Sequence, residues 1–189
     1  ALRDKSVVAV LPSASKIYGL AADVGTTKGA VYLLDLETGE TIEKTGLMNP
    51  QISYGEDVMS RISFAKDKPG GRKVLQEVLV EALNRTVLEL CQRHAISTEQ
   101  IVEAVIVGNT AMHHLFAGLP VEQLGLSPCV PAVSASLDIP ARILGLDMAT
   151  EAKVHLLPNI AGYVGADHVA MLMATELWKM DGPAIGVDI

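Results

Sequence analysis

The sequence predicts an α/β protein built on a mixed sheet, and three observations carry that prediction. Residues 18–35 hold two apolar runs around a polar tip, the pattern of a β-hairpin. Residues 74–90 repeat apolar side chains every three or four positions, the pattern of an amphipathic helix. Beyond residue 100, short apolar runs alternate with helical stretches, which adds strands through right-handed crossovers and covers the sheet with helices.

Composition narrows the function classes. The 189 residues are 49% apolar, enough for a sizeable core, and the net charge is −7 with no basic run. With two Phe, one Trp and four Tyr, the chain offers neither a phosphate-tracking groove nor base-stacking platforms, so nucleic acid is not an expected partner. Cys91 and Cys129 are too few for a disulfide framework or for a four-thiolate iron–sulfur cluster, and a reducing cytoplasm is the expected compartment. No signal peptide or membrane span is expected, because the longest apolar stretch near the carboxyl end is broken by Asp167 and His168.

Residues 1–16 read as the tail of a preceding module plus a linker, with the lobe proper at 17–189. The hairpin follows. Its tip is richer than a two-residue turn requires: Gly25, Thr26, Thr27 and Lys28 stand after the strand-ending Asp23. Successive amides in a glycine turn form an anion-binding concavity, hydroxyls donate to phosphate oxygens, and a carboxylate there can hold magnesium through water. An ordinary surface turn is the alternative, with Lys28 a solvated loop lysine.

After a turn at residues 36–40, residues 41–48 return as a third antiparallel strand, which Asn49-Pro50 breaks. Residues 51–66 suit a short helix with Val58, Ile62 and Ala65 inward and Asp57 and Arg61 opposite. Gly70-Gly71 opens the clearest helix, which turns Leu75, Leu79, Leu83 and Leu90 to the sheet and keeps Glu77, Glu81, Arg85 and Glu89 outside; Cys91 lies near its apolar stripe as a core thiol. Ser97 and Gln100 carry a capping-box spacing before a β-branched strand at 102–107. Gly108, Asn109 and Thr110 end that strand, and a helix with Met112, Leu115 and Phe116 inward follows.

His113 and His114 are adjacent. Neighbours on a helix point about 100° apart, so they do not share a metal, and one is expected buried and hydrogen-bonded with the other at the surface. Residues 127–144, with three prolines, are expected to run extended over the surface before a short helical turn. A strand at 153–157, a helix led by 158–165 and running through Trp178, and a last strand at 184–189 complete the series. The small residues Ala161, Gly162, Gly165 and Ala166 are expected on that last helix, where they allow close approach to the sheet. In such sheets ligands sit beyond the carboxyl ends of the parallel strands, which singles out residues 23–28, 108–114 and the Asp188 end.

These motifs resemble a known family. The Asp-x-Gly-Thr-Thr hairpin (Asp23, Gly25, Thr26, Thr27), the stretch Pro158 to Val169 and the run ending in Asp188 look like the first phosphate loop, first connecting helix and second phosphate loop of the actin, sugar-kinase and chaperone ATPase superfamily, whose core is an RNase H-like mixed sheet. More specifically, residues 49–57, 107–115 and 157–162 resemble the reductive activators of corrinoid proteins.

The resemblance implies the first lobe of such an ATPase, cut at the second phosphate loop, in a protein that couples ATP hydrolysis to reduction of Co(II) to Co(I) in a corrinoid protein. It implies ATP and magnesium as cofactors and a [2Fe–2S] cluster in an amino-terminal domain outside this chain. Gly25, Thr26, Thr27 and Lys28, with Gly108, Asn109 and Thr110, are the implied nucleotide-binding residues. Asp23 and Asp188 are implied at the metal, and Asp167 or Asn159 at the attacking water, the alternative for those two being a helix cap or an exposed helix face. The implied partners are a corrinoid protein and nucleotide, with homodimer formation left open. Two other readings stand beside it: a small-molecule kinase of the same fold, and a non-catalytic module that docks a protein on residues 127–144.

Overall fold

The computed structural model describes residues 1–3 and 5–187. At the amino end β1 (Leu2–Arg3) and β2 (Ser6–Val7) form a small antiparallel hairpin. Just after it, Val8 is 3% exposed and joins the core. The main hairpin forms where its pattern predicts: β3 (Tyr18–Asp23) pairs antiparallel with β4 (Lys28–Asp35), and β4 with β5 (Thr41–Met48). The turn into β5 is built by Asp35, whose carboxylate accepts from the amides of Glu37 and Thr38 and from the Lys16 ammonium at 2.8 Å. Lys16, then the Glu37 amide, hold that carboxyl below its usual range.

Two helices cross one face. Asp57 caps α1 (Val58–Asp67), accepting from the Ser60 amide at 2.7 Å, and α2 (Gly71–Arg93) presents Leu75, Leu79, Leu83, Val87 and Leu90 to the sheet. Burying each of these aliphatic side chains contributes roughly 1.5–3 kcal/mol, so this face anchors the layer. One expectation fails here. Arg61 is 0% exposed on the inner side of α1, because its guanidinium finds acceptors beneath the hairpin tip.

The capping box of Ser97 and Gln100 forms ahead of β6 (Ile101–Val107), which lies parallel to β3. Asp23 and Val107, register partners, therefore end two parallel strands at the same level. Then come α3 (Thr110–Ala117), β7 (Leu137–Pro140), α4 (Ala141–Leu144) and β8 (Lys153–Leu156). The sheet has six strands in the order β5-β4-β3-β6-β8-β7, a mixed sheet flanked by helices as expected. Residues 137–140 do not merely run over the surface. β8 offers them a free edge, and they pair with it antiparallel.

Two further expectations are corrected. Residues 158–165 form no helix: the amides of Ile160 and Ala161 both donate to the Val164 carbonyl in a tight reversal, opposite in direction to helical bonding, and α5 spans only Ala166–Thr175. Ala161, Gly162 and Gly165 therefore lie off the helix. Residues 184–187 pair with no strand among the described residues, and Ile185 and Val187 face solvent, so the described part of the expected last strand is not one. The expectations at 188 and 189 fall outside the described residues.

The core lies between the sheet and α1–α3. The other face is thinner. It carries α5, of which only Ala166 is buried, and between that helix and Ala21, Tyr32, Val105 and His155 lies a largely apolar cleft of about 730 Å³.

Candidate functional site

The hairpin tip is held from beneath by three side chains that come from other elements. The Asn49 side chain, fixed at the end of β5, donates to the Gly25 carbonyl at 2.9 Å, and its amide donates to the Thr27 carbonyl at 3.0 Å. Arg61 donates to the Thr26 carbonyl at 2.6 Å. From the end of β6, the Asn109 side chain donates to the Thr26 hydroxyl at 3.0 Å while capping α3 through the Met112 amide. All three tip carbonyls are thus drawn inward. The amides of Gly25, Thr26 and Thr27 have no partner among the described residues. Gly25 suits this tight tip because a side chain there would collide with the Lys28 carbonyl.

Asp23 is exposed at the end of β3, and Thr27 and Lys28 are exposed on the other side of the tip. Asp23 also forms the acidic end of the apolar cleft. Among the other lining side chains Tyr32, Ser136 and His155 add polar groups, and the rest are apolar.

Gly108 and Asn109 are brought to the tip from the end of β6. Thr110 is placed differently: its side chain is buried and its hydroxyl donates to the Ala161 carbonyl at 2.7 Å, tying the 158–165 reversal to α3. Asp167 stands in the first turn of α5, its amide donating to the Gly108 carbonyl, and its carboxylate accepts from the His168 amide at 2.8 Å and pairs with the His168 ring at 3.0 Å. Asn159 is 5% exposed, with its backbone amide on the Ser134 carbonyl. Asp188 lies outside the described residues.

Asn49, Gln51 and Arg61 are the site residues that sequence reasoning missed. A signal for Arg61 existed. Positions 58, 61, 62 and 65 share the spacing of one helix face, so period alone places Arg61 with Ile62 and Ala65.

Both histidines of α3 are buried, a correction to the expectation that one reaches the surface. His114 accepts at Nε2 from the amides of Ala132 and Val133 at 3.0 and 3.3 Å, which assigns its proton to Nδ1, donating to the Thr110 carbonyl at 2.8 Å. His113 has no hydrogen-bond partner for either ring nitrogen among the described residues. Burial, with His114 adding to it and only the nearby Leu157 backbone opposing it, pushes its pKa down to about 4. Among the described residues no group of three or more His, Cys, Asp or Glu side chains is arranged to hold a metal, and no helix is long and apolar enough to cross a membrane.

Comparison with known proteins gives a consistent picture. A chain named corrinoid activation enzyme RamQ, from Eubacterium limosum, is 32% identical over 170 residues, covering 88% of this chain and 29% of that protein. The [Co(II) methylated amine-specific corrinoid protein] reductase of Methanosarcina barkeri is 26% identical over 181 residues, covering 91% and 32%. A solved structure, a reductive activator for corrinoid, iron–sulfur protein, superposes with a TM-score of 0.87 at 33% identity, over 89% of this chain and 27% of the other. The chain thus spans about a third or less of each relative. The family model of the RACo middle region matches residues 18–180, nearly the whole sheet and its helices, and the chain belongs to that family.

Proposed function

We propose that this chain is the front lobe of an ATP-dependent reductive activator of a corrinoid protein. What supports the reading is the hairpin tip, with its carbonyls tied to Asn49 and Arg61 and its amides without a partner among the described residues, in a chain whose relatives are named as corrinoid activators. A row of unpartnered amides beside a carboxylate suits magnesium and a polyphosphate.

In this reading the amides of Gly25, Thr26 and Thr27 and the two threonine hydroxyls bind phosphate oxygens, and Lys28 offsets their charge. Asp23, with Asp188, holds magnesium through water. Magnesium, when bound, supplies charge compensation for phosphoryl transfer, which asks the protein for positioning more than for covalent chemistry. Of the two groups proposed to orient water, Asp167 is the better supported: its backbone is anchored at the end of β6 beside Asn109, whereas Asn159 is anchored to residues 133–134.

The electron comes from an iron–sulfur module outside residues 17–189, joined through residues 1–16, and nucleotide hydrolysis drives the uphill reduction of Co(II) to Co(I) in the partner. With two cysteines, one of them buried in α2, this chain does not itself fit a four-thiolate cluster. The reading places the protein in a reducing cytoplasm and leaves homodimer formation open. Calorimetric titration of the full-length protein with magnesium–ATP tests it. Asp23→Ala is expected to weaken binding at least about tenfold, about 1.4 kcal/mol, and to stop corrinoid reduction followed by absorbance. Unchanged affinity in that variant overturns the reading.

A further inference from the structure

Beneath the hairpin tip lies a guanidinium that no carboxylate pairs with at ion-pair distance among the described residues. Arg61 is fully buried, and its donors go to neutral acceptors: Nη2 to the Thr26 carbonyl at 2.6 Å, Nε to the Gly55 carbonyl at 2.9 Å, and Nη1 to Gln51 Oε1 at 3.2 Å and Met112 Sδ at 3.3 Å. The acid at the start of the same helix, Asp57, caps it through the Ser60 amide and acts on Arg61 only through space, with no ion-pair contact. Gln51 is fixed in turn by its own donation to the Leu75 carbonyl of α2 at 2.9 Å.

Burying a charge that no carboxylate contacts is costly, and a fold that needed only hydrogen bonds to these four acceptors would lose less with a neutral donor. A charge kept in this position calls for an anion on the other side of the tip. The fork geometry matters as well, because one planar guanidinium reaches the tip, the Gly55 turn and Gln51 together, which a lysine ammonium cannot do.

The geometry points to Arg61 as a positioning residue for a polyphosphate at the tip: it pulls the Thr26 carbonyl inward, which turns the amide of the same peptide group the other way, and its charge, in contact with no carboxylate among the described residues, favours the anion bound there. This rests on the nucleotide reading above and adds to it a residue outside the phosphate-loop motif. Asn49 and Asn109 fix the tip by hydrogen bonds alone; Arg61 does so and contributes charge.

The test uses the full-length protein with Arg61→Met and Arg61→Lys, each checked for folding by circular dichroism and thermal melting. Two quantities are read: hydrogen exchange of the amides of residues 25–28 without nucleotide, and magnesium–ATP affinity. Arg61→Met is expected to speed exchange at the tip and to weaken magnesium–ATP at least about tenfold. Arg61→Lys is expected to recover part of the affinity, through its charge, while the tip exchanges as fast as in the methionine variant. A folded Arg61→Met that keeps the wild-type exchange and affinity overturns the inference. If the methionine variant does not fold, wild-type exchange and affinity in Arg61→Lys overturn it. A wild-type protein that binds no nucleotide counts against the reading under Proposed function, and tip exchange then judges the anchoring by Arg61 on its own.

Discussion

Two buried histidines give single residues of α3 a voice in stability. His113 titrates near 6.5 when unfolded and about 4 when folded, so the folded state binds the proton less well. Its contribution is complete above pH 6.5 and is lost as pH falls from 6.5 towards 4, by about 3 kcal/mol for a shift of that size. Burial lowers the His114 pKa too, and protonating its Nε2 would replace an acceptor of two amides with a donor. The urea midpoint is therefore expected to drop between pH 6.5 and 4, and His113→Leu is expected to flatten that drop. An equally steep profile in the variant would reject this account. Of the individual site residues, Asp23, Gly25, Thr26 and Thr27 could be picked out in the sequence because a glycine turn after an apolar run needs little context. For Arg61 helical period and polarity point opposite ways, and acceptors from residues 26, 51 and 55 decide for the interior.

At the scale of elements, strong periodicity was readable and short pairing was not. The 23 residues of α2 carry enough apolar repeats to identify themselves. β7 has four residues, one of them proline, and exists because β8 presents an unpaired edge. The sequence leads into a helix from 158–165, with its small residues against the sheet; contacts with α3 decide otherwise. A side chain at Gly165 would come within 2.6 Å of the Gly108 carbonyl and the Thr110 amide, so α5 begins hard against the end of β6. Gly165→Ala is expected to cost roughly 1–3 kcal/mol by overpacking and to loosen the Asp167 turn, measured by thermal melting and by amide exchange at residue 167. At the sheet edge, by contrast, the Arg3 pairs with Glu103 and Asp138 are partly solvated, and Arg3→Ala is expected to change stability by less than about 1 kcal/mol.

Across the whole molecule, one core joins the sheet to α1–α3, and the hairpin tip stands on that core through Asn49, Arg61 and Met112. Leu79→Ala, at a position with 0% exposure, is expected to cost roughly 2–5 kcal/mol and to lower the denaturation midpoint of sheet and helices together. Separate transitions for the two would show that the layers fold independently. The sequence by itself determined the α/β class, the three antiparallel strands, the long helix and the position of the hairpin tip, because apolar period and turn residues act within a few positions of one another. Only the tertiary structure decided that Arg61 lies inside, that both histidines are buried, that residues 137–140 join the sheet and that 158–165 turn back instead of coiling. Each of those outcomes depends on an acceptor, an edge or a close contact supplied from elsewhere in the chain, and local pattern carries no record of such a partner.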